Sequence, residues 1–361
     1  MKKRLRIIQL VSHFDMGGAE RIAINISKSK NDGVEYHMVE VVQGTSPFTA
    51  EFIKELNESQ IAYHRSPIRN NKLAILLFPF HFVRLLKEIK PDVIHTHTEM
   101  PDLALYLTHL VFPRSLKKVK IIRTLHNTQL WNQWKWLGNH VEQFMIRHRA
   151  NVSNSKMITG TYQKEFGPDA NIKLIYNGFS KIPQKTYENL VSGKINVLFA
   201  GRFVPQKGID TLIDIVKVVD PNHFFFHIAG KGELEHELKR ELEHRQNVSI
   251  TGPIYNLSMY LGSFDYVLIP SVHEGLNSLS IEASLSATPV IINDIDGLNE
   301  TVPEDYPLKV SQNSIEEYSA IFEKLKGLNS NMFSEKSYGY ALEKFSMQKM
   351  QSEYESLYAQ S

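Results

Sequence analysis

The chain of 361 residues contains no cysteine. This excludes disulfide staples, thiolate metal sites and cysteine nucleophiles, and it suits a reducing compartment. Long apolar runs are also missing. The most apolar stretch, Leu73 to Val83, is broken by Pro79 and His81 and falls far short of the ~20 residues a spanning helix needs. The basic start, Met1-Lys2-Lys3-Arg4-Leu5-Arg6, leads into an apolar run that ends at Ser12-His13. No small-residue cleavage site follows, so the run reads as a first β-strand rather than a signal peptide. The chain is expected to be soluble or peripheral. No G-x-G-x-x-G occurs, so a dinucleotide fingerprint has no support.

Net charge is nearly absent at +2, but this is a cancellation. Residues 1–193 hold 27 Lys/Arg and 16 Asp/Glu, and residues 194–361 hold 14 and 23. One half is therefore expected to face something anionic. With 42% hydrophobic and 22% charged residues, the chain can bury a core, and a folded rather than a disordered chain is expected.

Short β-branched runs alternate with helical patterns. Ile7–Val11, Met38–Val42, Val93–Ile94 and Ile121–Leu125 read as buried strands, and so do Asn196–Ala200, Phe224–Ala229, Tyr266–Ile269 and Val290–Ile292. Between them, Leu212, Ile215, Val216 and Val219 mark one face of a helix. This alternation predicts parallel sheets covered on both faces. It restarts near Lys194, after a polar stretch at 181–193 that is expected to be a linker. Two doubly wound domains follow, with ligands outside the carboxyl ends of their strands and a cleft where the two face each other.

Gly17-Gly18 follows the first strand and opens a helix pattern, where glycine lets an anion approach the helix N-terminus; a tight strand-to-helix turn is the alternative. Gly201-Arg202-Phe203-Val204-Pro205-Gln206-Lys207-Gly208 places two cations at a strand's end. Arg202 can grip phosphate oxygens in a fork and Lys207 adds a point charge; the alternative is a solvated turn. In Glu274-Gly275-Leu276-Asn277-Ser278-Leu279-Ser280-Ile281-Glu282, two carboxylates flank amides freed where a helix begins. That suits a ligand with hydroxyls at both ends and phosphates between; acids complementing the helix dipole are the alternative. His126 ends a strand and could bond a ligand or be structural. His95-Thr96-His97 and Asp294-Ile295-Asp296 have metal-like spacing. The histidines lack a third ligand nearby and are expected to serve in strand-end hydrogen bonding.

Taken in order, these pieces resemble the GT-B-fold glycosyltransferases of family 4. The resemblance runs from Gly17-Gly18-Ala19-Glu20 through Pro91-Asp92-Val93-Ile94-His95-Thr96-His97, Val152-Ser153-Asn154-Ser155 and Tyr176-Asn177-Gly178. It continues with Gly201-Arg202, Lys207-Gly208, Ala229-Gly230-Lys231-Gly232 and Ala287-Thr288-Pro289-Val290. Its most specific part is Glu274 to Glu282, the family's E-x7-E. The chain departs from the family at Ser286-Ala287, where Cys-Gly is common, and at Phe179-Ser180, where Val-Asp is common; neither change removes a ligand-binding group.

The resemblance implies an α/β fold of the GT-B type: two doubly wound Rossmann-like domains, a cleft between them, and a C-terminal helix crossing back to the first. The expected boundaries are 1–180 for the acceptor-side domain, 181–193 for the linker, 194–340 for the donor domain and 341–361 for the crossing helix. It implies retaining transfer of a hexosyl or N-acetylhexosaminyl group from a nucleotide-diphosphate sugar to a glycan or lipid-linked acceptor. The sugar nucleotide is a co-substrate, and no cofactor or metal is expected, so Asp294 and Asp296 are read as part of a donor-side loop. Arg202 and Lys207 are expected to hold the diphosphate, with Gly17 and Gly18 nearby. Glu282 is expected to bind the ribose, and Glu274, Gly275, Leu276, Asn277 and Ser278 the sugar and phosphates. Gly230, Gly232 and Ile254 are expected near the base, and His126 at the transferred sugar once the domains close. A GT-B epimerase and a non-catalytic sugar-nucleotide-binding partner are the competing readings.

The basic run Arg114-Ser115-Leu116-Lys117-Lys118-Val119-Lys120 and the tryptophans Trp131, Trp134 and Trp136 point to an anionic membrane surface met by the first domain. An ordinary charged surface with core tryptophans is the alternative. No nucleic-acid module is visible. The expected setting is the cytoplasm, at the inner face of the plasma membrane.

Overall fold

The computed structural model describes residues 4–360 except 16, 128–129, 132–134 and 329. The chain divides into two compact units, 1–178 with 347–361, and 179–346.

The first unit is built on a seven-stranded parallel sheet. Its strands are β1 (Leu5–Val11), β2 (Val34–Glu40), β3 (Ala62–His64), β4 (Val93–Thr96), β5 (Lys120–Leu125), β6 (Asn151–Ser153) and β7 (Lys173–Leu174). They lie in the order β3-β2-β1-β4-β5-β6-β7. Successive side chains of a strand face opposite sides, and both sides of this sheet are covered. Ile8 and Leu10 pack with Phe78 and Phe82 of helix Asn71–Ile89. Ile7 and Val11 pack with Ile22 of helix Gly18–Ser27 and with Met350, Tyr354 and Tyr358 of helix Met347–Ala359. The last helix of the chain is thus part of the first unit's core.

The second unit has six parallel strands: β8 (Ile195–Arg202), β9 (Phe224–Lys231), β10 (Val248–Thr251), β11 (Tyr266–Ile269), β12 (Val290–Asn293) and β13 (Lys309–Val310). Their order is β10-β9-β8-β11-β12-β13. In each sheet the winding reverses beside the first strand, between β1 and β4 and between β8 and β11. Such switch points open a crevice at the carboxyl ends of the strands.

Two boundaries move from their sequence positions. The polar stretch 181–193 is bonded along the second unit: Lys185 N donates to Met259 O at 2.7 Å and Tyr187 N to Ser263 Oγ at 2.9 Å. The Tyr187 ring packs on Phe264, with centroids 5.2 Å apart. The return to the first unit starts at Met347 rather than 341. Helix Asn331–Phe345 packs on helix Ser278–Leu285, and Phe179 N donates to Phe345 O at 2.8 Å.

Candidate functional site

In the second unit, the β8/β11 switch point holds two adjoining cavities. One, of about 230 Å³, is lined by Ala200 of β8, Ile269 of β11, Lys207, Glu274, Asn277 and Ser278. The other, of about 400 Å³, is lined by Arg202, Gly230, Ile254, Ser278, Leu279 and Glu282. Ala200, Ser278 and Leu279 border both. The structure therefore gathers Arg202, Lys207, Gly230, Ile254, Glu274, Leu276, Asn277, Ser278 and Glu282 around one pair of cavities.

Lys207 ends a single 3-10 turn, Pro205–Lys207, directly after β8. Gly208 closes this turn at φ +70°, and a Cβ there would meet Pro270 O at 2.0 Å. Only glycine fits both the backbone angle and the close approach to the end of β11. The turn points Lys207 Nζ at Glu274 Oε1, 2.6 Å away. Glu274 is buried. Its backbone is held from behind by Gly297, where a Cβ would strike Glu274 O at 2.2 Å. Gly297 was not singled out in the sequence; its φ of +83° is the signal that explains it.

Helix Ser278–Leu285 is capped by Asn277, whose Oδ1 accepts from Ser280 N at 2.9 Å. Among the described residues, the Ser278 and Leu279 amides donate to no protein acceptor. They open onto both cavities, and a helix N-terminus favours negative charge. Arg202 is exposed, and among the described residues it pairs with no carboxylate. Glu282 lies one turn inside the helix, and burial raises its carboxyl pKa above the usual range. Ligand hydroxyls donating to that carboxylate would offset the lost solvation.

Gly230 and Gly232 act through close packing: Cβ atoms there would meet Gly201 O at 1.9 Å and Phe203 O at 2.4 Å. Gly275 has nothing within 4 Å and leaves room for a ligand. Asp294 and Asp296 are exposed. Among the described residues no cluster of three His, Asp or Glu is arranged to hold a metal.

In the first unit, Gly17 caps helix Gly18–Ser27 at the end of β1, and a Cβ at Gly18 would meet nothing within 4 Å. His126 follows β5. Behind it runs a buried chain of polar groups. His97 Nδ1 lies 3.4 Å from His126 Nε2, and His97 Nε2 lies 2.7 Å from Gln9 Oε1. Gln9 Nε2 donates to Tyr358 at 3.1 Å, and Tyr358 bonds His95 Nδ1 at 2.8 Å. Thr124 Oγ1 then joins His95 to Tyr354. Because Gln9 Oε1 accepts, His97 carries its proton on Nε2 and accepts at Nδ1 from His126. Burial pushes the His126 pKa down to about 4, and His95 and His97 lie well below their usual value. The three rings are uncharged at neutral pH.

The tryptophans differ from one another. Trp131 donates to Glu142 Oε1 at 2.8 Å and packs on the core, whereas Trp136 is 76% exposed. Trp134 lies outside the described residues.

Two family models match the chain. Glycosyltransferase Family 4 matches residues 16–180, and Glycosyl transferases group 1 matches residues 194–326. The chain belongs to this glycosyltransferase family. Its architecture is the GT-B fold. Similar proteins include an uncharacterized 41.2 kDa protein in the cps region of Klebsiella pneumoniae, 30% identical over 240 residues. That match covers 62% of this chain and 65% of the relative, so the chain spans just under two thirds of it. The capsular polysaccharide biosynthesis glycosyltransferase CapH of Staphylococcus aureus is 25% identical over 308 residues, covering 81% and 82%. The Anabaena protein HepE, solved with UDP, superposes with a TM-score of 0.78 at 18% identity, covering 98% of this chain and 99% of that one. At that identity the likeness is one of fold.

Proposed function

We propose that the chain is a retaining glycosyltransferase. It moves a hexosyl or N-acetylhexosaminyl group from a nucleotide-diphosphate sugar to a glycan or lipid-linked acceptor, in surface polysaccharide synthesis at the inner face of the plasma membrane. The observation that carries this reading is the β8/β11 crevice. There a paired lysine, an exposed arginine, amides at a helix N-terminus and a desolvated carboxylate surround adjoining cavities. Diphosphate suits the first three and ribose hydroxyls the last. The name of CapH and the UDP bound by HepE support a surface-glycan product and a uridine nucleotide.

Breaking the sugar–phosphate bond leaves negative charge on the diphosphate. Arg202, Lys207 and the Ser278 and Leu279 amides stabilise it where it develops. Glu274 holds the Lys207 ammonium in place before the donor binds. When the diphosphate takes that ammonium, the Glu274 carboxylate is released to accept hydrogen bonds from the sugar hydroxyls. The acceptor oxygen bonds the anomeric carbon on the face the phosphate leaves, and its proton passes to the departing phosphate oxygen. His126 is assigned to the transferred sugar, its uncharged ring bonding a hydroxyl.

A panel of nucleotide sugars incubated with the protein tests the reading. One donor is expected to release its nucleotide slowly in water and faster with acceptor. Binding of nucleotide without any turnover would favour a non-catalytic partner. Because the cations are supplied by the chain, turnover is expected to survive EDTA.

A further inference from the structure

Residues 73–80, Leu-Ala-Ile-Leu-Leu-Phe-Pro-Phe, make the first half of helix Asn71–Ile89 apolar all round. Such a helix needs both faces covered. Only one is: Ala74, Phe78 and Phe82 enter the core. On the other, Leu73, Leu76, Leu77 and Phe80 are exposed by 47%, 66%, 38% and 53%. Their spacing of three, four and seven residues makes one stripe, about 10 Å long at 1.5 Å per residue. The stripe continues onto the neighbouring helix Glu99–Val111. Its last residues, Leu110 and Val111, are 56% and 48% exposed, and the Phe112 ring meets Phe80 edge-on with centroids 5.5 Å apart.

Cations surround this patch. Lys72, Arg84 and Lys87 lie on the same helix, and Arg114, Lys117 and Lys118 follow Phe112; all six are exposed. Among the described residues none of the six has an ion-pair partner. Glu88 is the one acid on the helix.

We propose that this face docks on an anionic lipid surface. The apolar stripe enters the boundary between headgroups and acyl chains, and the six cations meet lipid phosphates. Charge selects this occupant over a second copy of the chain. A two-fold contact would set the same six cations against themselves. The inference deepens the membrane part of the proposed function, but it uses none of the donor residues. Loss of docking would therefore leave nucleotide release in solution unchanged, and loss of release would leave docking unchanged.

The test is flotation of the full chain with phosphatidylcholine vesicles, with and without phosphatidylglycerol. The wild type is expected to float only with the anionic vesicles and to be released by salt. Leu76→Ser with Phe80→Ser is expected to reduce the bound fraction about tenfold or more, and Lys117→Glu with Lys118→Glu to do the same. Circular dichroism confirms that each variant is folded; the altered side chains are exposed. Trp136→Ser is expected to float like the wild type. The proposal is overturned if the wild type floats with neither vesicle, or if both double variants float undiminished. It is equally overturned if Trp136→Ser alone abolishes flotation, or if Leu76→Ser with Phe80→Ser instead dissolves a dimer in sedimentation equilibrium.

Discussion

Lys207 and Glu274 stand 67 residues apart in sequence and 2.6 Å apart in space. Each could be read as a ligand-binding group from its own motif, because each follows a strand and precedes a helix. Their pairing could not, since it depends on how close Gly208 brings the turn to Pro270. The pair predicts a sharp phenotype. Lys207→Ala removes a cation aimed at the leaving group, so turnover is expected to fall about 10²- to 10³-fold with an unchanged circular dichroism spectrum; near-normal turnover would refute the assignment. Glu282 gives the opposite relation between stability and binding. Its carboxyl pKa is raised by burial, so its ionised form costs folding free energy once pH exceeds its unfolded value. Glu282→Gln removes that cost. The thermal midpoint at neutral pH is expected to hold or rise, while nucleotide affinity falls about tenfold as charge-assisted bonds become neutral ones. In the wild type, calorimetric nucleotide affinity should weaken as pH falls through the raised value. A variant with lowered midpoint and intact affinity would contradict both parts.

At the scale of elements, buried strands were the readable part. Tyr266–Ile269 matches β11 in full, and β8, β9 and β12 extend their sequence runs by one to three residues. Apolar side chains on both faces leave a strong continuous signal. The short outer strands β3, β7, β10 and β13, of two to four residues, carry too few side chains to show a period. The tail was readable as a crossing helix, but its polar work was not. Gln9 interrupts the apolar run of β1 on the side where Ile7 and Val11 pack, because it meets Tyr358 of helix Met347–Ala359. Tyr358→Phe would leave Gln9 Nε2 and His95 Nδ1 without that partner inside the core. The expected loss is about 1–3 kcal/mol in urea unfolding. Tyr354→Ala adds a cavity and is expected to cost about 3–5 kcal/mol. Values near zero for both would mean that the helix is only loosely held.

At the scale of the whole molecule, the charge asymmetry survives the corrected boundaries. Residues 1–178 with 347–361 hold 26 Lys/Arg against 17 Asp/Glu, and 179–346 hold 15 against 22. The two units also have separate cores, since the Val197-to-Leu325 cluster draws only on the second and the remaining clusters only on the first. Each can therefore unfold as its own cooperative body. All three tryptophans lie in the first unit, so indole fluorescence reports that unit alone, whereas far-ultraviolet circular dichroism reports both. The cavities assigned to the nucleotide are lined wholly by residues 199–282, within the second unit. A nucleotide at a hundred times its Kd should stabilise the unit that binds it by about 2.7 kcal/mol. In thermal unfolding with UDP, the dichroism transition is expected to move up while the fluorescence transition moves less. If the fluorescence transition moves as far, the nucleotide is held by residues of the first unit as well, and the assignment of binding to the second unit alone fails.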